Sequence, residues 1–268
     1  MRNGLGTALA TSLTLTLAVT MAAAQNRAYR APRAADGKPS FNGIWQAVNE
    51  AYWDVEAHAA APGPVLELGA AHAAAGGLSI IDGGAIPYKP EALKKKRENY
   101  ANRLKLDPEI KCYLPGVPRA NYMPYPFQIV QGAKHILMLY QFAGAVRSIP
   151  LENPGPSPTD SWMGWSAGHW EGETLVVDVT GFNDLSWFDR AGNFHSDALH
   201  VVERYTPRSP DTLLYEATIE DPKVFSRSWK IRMPLYRRVE ENAQLLEFKC
   251  VEFSEELIYG HLRKKPSK

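Results

Sequence analysis

Residues 198–219, ALHVVERYTPRSPDTLLYEATI, decide the fold. Two runs rich in β-branched and aromatic residues flank the turn segment Pro207-Arg208-Ser209-Pro210-Asp211, which is the pattern of an antiparallel hairpin. Side chains on a strand alternate between faces. His200, Val202 and Arg204 therefore share one side of the first strand, and Val201, Glu203 and Tyr205 share the other. The preceding run, ETLVVDVTGF (173–182), alternates in the same way: Val176, Asp178 and Thr180 face one side, Leu175, Val177 and Val179 the other. After the hairpin comes a second turn, EDPK (220–223), and then VFSRSWKIRMPLYRR (224–238). LLEFKCVEF (245–253) reads as a last strand. Upstream, HILMLYQFAGAVRSIPL (135–151) reads as a strand pair or a bent strand, and FNGIWQAVN (41–49) as the first strand.

Strands that recur at intervals of roughly ten residues with turn punctuation indicate an antiparallel sandwich or barrel. Consecutive hairpins favour an up-and-down meander, so the expectation is a mainly β protein, an antiparallel β-barrel. Pro90–Leu104 is the one clear helix: Pro90 suits its first position, Glu91 the positive end of its dipole, and Asp107-Pro108 follows its end. The segment 112–127 holds too many prolines for a regular element and reads as coil laid over the core. Residues 54–88, rich in Ala, Gly and Pro, read as an irregular excursion. The expected layout is a leader (1–24), a linker (25–40) and one barrel domain (41–268) with a loop and helix insertion at about 50–127.

The N-terminus reads as a secretory signal, with Arg2 before a largely apolar run and Ala22-Ala23-Ala24 as a small-residue cleavage site. An uncleaved anchor is the alternative. With residues 1–24 removed, 29 basic residues (30 less Arg2) balance 29 acidic ones. A balanced charge argues against nucleic acid as a partner. The basic tail at 261–265 reads as a solvated end. Cys112 and Cys250 are the only cysteines. In an oxidising compartment they are expected to pair as a disulfide, with two separate thiols as the alternative.

The segment 178–203, DVTGFNDLSWFDRAGNFHSDALHVVE, carries the densest set of titratable and aromatic groups. Catalytic and binding residues concentrate on loops held by a rigid scaffold. His195 and His200 are the candidate acid and base. Asp178, Asp189 and Asp197 are candidates to orient them, and Arg204 to stabilise developing negative charge. This reading places His200 and Arg204 together on an inward face. Trp187, Tyr122, Tyr125 and Trp229 are the candidate substrate-binding aromatics. A metal held by His195, His200 and Glu203 is disfavoured, because His200 and Glu203 point to opposite sides of one strand. Gly164-Trp165-Ser166-Ala167-Gly168 matches the G-x-S-x-G of serine hydrolases, but no helix follows to build the nucleophile turn. No Walker or Rossmann glycine pattern is present, so no cofactor is implied.

Two resemblances add to this reading. Gly43-Ile44-Trp45 resembles the Gly-x-Trp that opens lipocalin-like barrels. The blocks KCYLPGVPRANYMPYPFQIVQ (111–131), SWMGWSAGHWEGETLVVDVTGFND (161–184) and FHSDALHVVERYT (194–206) together resemble a family of exported, largely uncharacterised bacterial proteins. That resemblance implies an exported location and no assigned reaction. The resulting expectation is an exported barrel enzyme, a lyase, hydratase or isomerase, acting on a small apolar or aromatic molecule with a polar handle. Its rival is a lipocalin-like binding protein without catalysis, and a serine hydrolase using Ser166 is the further alternative.

Overall fold

Nine strands form one hydrogen-bonded order, β4-β3-β2-β1-β9-β8-β7-β6-β5, in a computed structural model that describes residues 29–63 and 65–262. The leader at 1–24 and the end of the basic tail lie outside the described residues. The strands are β1 (Gly43–Ala47), β2 (Phe127–Gln131), β3 (His135–Tyr140), β4 (Val146–Pro150), β5 (Trp165–Glu171), β6 (Thr174–Thr180), β7 (His200–Ser209), β8 (Thr212–Glu220) and β9 (Trp229–Arg237). Every neighbouring pair is antiparallel. The expected antiparallel barrel is therefore present, as a meander that β1 and β9 join back to front.

An odd strand number has a geometric consequence. Directions alternate around the order, so its two ends, β4 and β5, run the same way. They lie side by side without extending the ladder, and the barrel is nearly closed. Side chains hold this seam. Arg147 on β4 donates from Nε to Ser166 Oγ on β5 at 2.9 Å, and its Nη2 pairs with Glu203 on β7. Gly168 permits the approach, because a Cβ there would sit 2.7 Å from Ile149 on β4.

The G-x-S-x-G sequence is thereby explained without catalysis. Gly164 adopts a φ of +69° entering β5, Ser166 serves the seam, and Gly168 lets the strands close. All of Trp165–Glu171 is strand, so the strand-to-helix turn that a nucleophile needs is absent at this motif, and the Ser166 hydrolase expectation is corrected.

Leu175, Val177 and Val179 on β6, Val201, Glu203 and Tyr205 on β7, and Tyr215, Ala217 and Ile219 on β8 all point into the barrel and are buried. The inward face of β7 is therefore the opposite of the one expected. Val201 and Tyr205 match the apolar residues paired with them, and Glu203 is tolerated because Arg147 compensates it. Trp45 packs inside, its Nε1 donating to Phe41 O at 2.9 Å, with the Arg237 guanidinium 4.3 Å above its ring.

Register also sorts the connections. Short turns at 132–134, 172–173 and 210–211 lie at one end of the barrel, while the long segments 48–126, 181–199 and 221–228 all leave the other end. The expected helix is α1 (Pro90–Ala101), continued by the short α2 (Arg103–Leu106). The expected coil at 112–127 contains a buried 3-10 turn, Arg119–Tyr122, lying across the open end. Its Asn121 reaches inside to Glu203 and Tyr140, both at 2.9 Å.

The expected last strand at 245–253 is not one. Residues 238–253 form a non-regular arm ending in α3 (Ser254–Tyr259). The arm runs back to the open end, bonding Ile44 O through the Arg238 amide at 2.8 Å and Gln141 Oε1 through the Leu246 amide at 3.1 Å. Cys112 and Cys250 form the expected disulfide. Among the described residues, no helix is long and apolar enough to cross a membrane.

Candidate functional site

The loops at the open end bring together a group of charges that the sequence keeps far apart. Asp107 and Glu109 follow α2, Arg119 comes from the 3-10 turn, Tyr52 from the loop after β1, Arg190 from the β6–β7 loop and Glu255 from α3. Arg119 makes two bonds to Asp107, at 3.1 and 3.3 Å, and a third to Glu109 Oε2 at 3.1 Å. Tyr52 donates its hydroxyl proton to Glu109 Oε1 at 2.5 Å. Arg190 bonds Glu255 at 2.9 Å, and its guanidinium lies 4.6 Å from the Trp53 ring.

Electrostatics at this group are those of a buried cluster. Burial pushes the Glu109 carboxyl above the ordinary range, against the pull of Arg190 and Arg119. Burial, then the Glu109 charge, holds the Tyr52 hydroxyl well above its usual value. At Arg190 burial works against charge, but Tyr52, Glu109 and Glu255 outweigh it and the guanidinium stays protonated.

Tyr52 and Glu109 line a cavity of about 320 Å³. The arm, from Phe248 to Glu256, also lines it, and Phe248 belongs to an aromatic trio there with Tyr125 and Phe142. Phe248 lies 5.1 Å from both Tyr125 and Phe142, ring centre to ring centre. A smaller cavity of about 160 Å³ is lined by Trp53, His58, Asp107 and Arg190. A third depression of about 480 Å³, more open to solvent, is lined by Tyr113, Trp162 and Trp187. Cavities of a few hundred Å³ with apolar walls and few convergent polar groups are the usual form of small-molecule sites.

The residues expected to form a site are dispersed. His200 and Arg204 lie on the outer face of the barrel, which corrects their inward placement. His200 bonds Asp178 at 2.9 Å and faces Glu220 at 3.4 Å, and Arg204 bonds Glu171 at 2.7 Å. Asp197 pairs with Lys223 on the surface at 2.6 Å. His195 is buried, with Nε2 2.7 Å from Ser186 Oγ and Nδ1 2.9 Å from the Ser196 carbonyl. Burial lowers its pKa, so the ring is neutral, with Nδ1–H donating to the carbonyl. The disfavoured metal trio is equally separated: His195 in a loop, His200 outside, Glu203 inside. Asp189 is fully buried and accepts from the backbone amides of Val55, Ala191 and Asn193.

Of the expected aromatics, Tyr125 lines the 320 Å³ cavity and Trp187 the open depression. Tyr122 and Trp229 are corrected to core residues. Tyr122 donates to Phe188 O at 2.8 Å, and Trp229 packs edge-on against Phe188 at 5.5 Å. Sequence reasoning missed Tyr52, Asp107, Glu109, Arg119 and Arg190 as a group. The available signal was the Asp107-Pro108-Glu109 and Pro118-Arg119 placement of charges in proline-rich coil, where no strand or helix face disposes of them.

Compared with known proteins, the chain matches no family model and no curated sequence. Its chemistry is therefore read from its own residues.

Proposed function

We propose that this is an exported, lipocalin-like binding protein that holds a small aromatic molecule with a polar handle in the cavity at the open end of the barrel. One observation carries the reading: Tyr125, Phe142 and Phe248 line the same cavity of about 320 Å³ as the half-buried, hydrogen-bonded Tyr52–Glu109 pair. The rings supply apolar and stacking contact, and the carboxyl end supplies orientation. His195, His200 and Arg204, which a catalytic pocket would have gathered, are instead committed to buried structural bonds or surface pairs. Export agrees with the disulfide.

Phenylnaphthylamine, a neutral fluorescent aromatic amine, tests the reading. The expected result is saturable fluorescence enhancement that weakens at least tenfold in Phe248→Ala and is unchanged in His200→Ala. Unaltered binding by Phe248→Ala sinks the proposal.

A second reading has one observation in its favour. A carboxyl held above its ordinary range inside a cavity is suited to proton transfer. The same Tyr52–Glu109 pair would then serve a lyase or isomerase. Incubating a metabolite extract with wild type and with Tyr52→Phe, and following consumption by mass spectrometry, separates the two readings. Turnover by wild type alone supports the enzyme, and retention of an unchanged compound supports the binding protein.

A further inference from the structure

The cavity is built in two halves that belong to different parts of the molecule. Six lining residues come from the loops of the barrel's open end. The other eight, 248–251 and 253–256, come from the C-terminal arm. The arm is not part of the barrel's core, since among the described residues none after Leu235 belongs to the buried hydrophobic core. Nor is it held strongly by its own burial. Leu246, Val251, Leu257 and Ile258 are all more than half exposed. Its non-covalent ties near the cavity include the Phe253 amide to Ile110 O at 2.8 Å, the Leu246 amide to Gln141, the Arg190–Glu255 pair and the ring contacts of Phe248. The covalent tie is Cys112–Cys250, which joins the arm to the segment just after Glu109 across a sequence separation of 138 residues.

We propose that the disulfide makes the arm a redox-released strap: oxidised, it closes the cavity, and reduced, it lets the arm leave and dismantles the site while the barrel stays folded. This rests on the binding reading above and adds its regulation. The step balances simply. A dithiol reductant breaks the Cys112–Cys250 bond, each cysteine sulfur gains one electron and one proton, and the reductant closes to its own disulfide. The cross-link matters because it pins the arm at a second point, beside Glu109, and so raises the local concentration of the arm's contacts over what the tether at β9 alone gives. Removing it leaves half-buried contacts, the Arg190–Glu255 pair and the ring contacts of Phe248 among them, to oppose the entropy of a segment that β9 holds only at Arg237.

Hydrogen exchange on the full-length protein, with and without dithiothreitol and in Cys250→Ser, reads the strap directly. Phenylnaphthylamine titration reads the site. Reduction should raise exchange at the Phe253 amide at least tenfold and weaken the probe at least tenfold. The amides of β8 should keep their protection. Unchanged protection at Phe253 after reduction overturns the strap, and so does loss of protection throughout β8, which would make the disulfide a support of the whole fold. If the oxidised protein does not bind the probe, the binding reading fails, while the exchange at Phe253 still decides the strap.

Discussion

Glu203 is the residue on which the barrel interior turns. Its Oε1 accepts from Asn121, Tyr205 and Tyr215 at 2.9, 3.0 and 2.7 Å, and its Oε2 pairs with Arg147. Removing one partner of a buried pair leaves the other charge uncompensated, which costs about 3–5 kcal/mol. Arg147→Met should lose that much in urea unfolding. Arg147→Met with Glu203→Leu should lose less than the sum of the two single changes. His200 makes a different prediction. Burial opposes its charge, but the Asp178 and Glu220 carboxylates outweigh it and raise its pKa. A raised imidazole stabilises the fold below its unfolded value of about 6.5, and that contribution fades as pH rises through the folded value. The stability difference between wild type and His200→Gln should therefore be larger at acid pH than at alkaline pH. A difference independent of pH would contradict the pairing. Alternation at 200–205 was legible in the sequence, but which face turned inward was not. His200 and Arg204 look functional in isolation, and the compensation that lets Glu203 go inside comes from Arg147, a residue of the opposite sheet edge.

Elements at the open end are positioned by side chains that bind backbone. Asp189 in the β6–β7 loop accepts from the amides of Val55, Ala191 and Asn193 at 3.0, 2.9 and 3.2 Å, and from the Asn193 side chain at 2.6 Å. Burial, then Asp54, pushes its carboxyl up to about 7. This one side chain joins the loop that carries Arg190 to the loop that carries Tyr52. Asp189→Ala strands several buried donors, each worth about 1–3 kcal/mol. It should destabilise the protein by about 3 kcal/mol or more and weaken phenylnaphthylamine binding without touching the cavity. A variant of wild-type stability would contradict the role. The β hairpins and α1 are readable from local periodicity, because each is a short-range pattern. The arm at 238–253 and the turn at Arg119–Tyr122 are not. LLEFKCVEF alternates like a strand, yet no open edge remains beside β9, whose neighbours are β1 and β8. RANY lies among prolines, and only its contacts with the barrel interior reveal a closing element.

At the scale of the molecule, the meander separates stability from function. Short turns and the start of the 151–164 crossover lie at one end, and the segments 48–126, 181–199 and 221–228 gather at the other, where the arm returns to meet them. The sequence announced a barrel with loops and a disulfide. It pointed to the segment 178–203 for a site, from which Arg190 joins the charged cluster but does not line the 320 Å³ cavity. The remaining site residues are scattered between positions 52 and 256, and only long-range packing assembles them. The central claim is that this assembly, and neither the barrel interior nor the histidine-bearing outer face, is where a ligand sits. A crystal structure of the oxidised protein soaked with phenylnaphthylamine tests it most directly. The account predicts density for the probe against Tyr125, Phe142 and Phe248 with its amine toward Glu109. Density inside the barrel beside Arg147, or at His200, would contradict it.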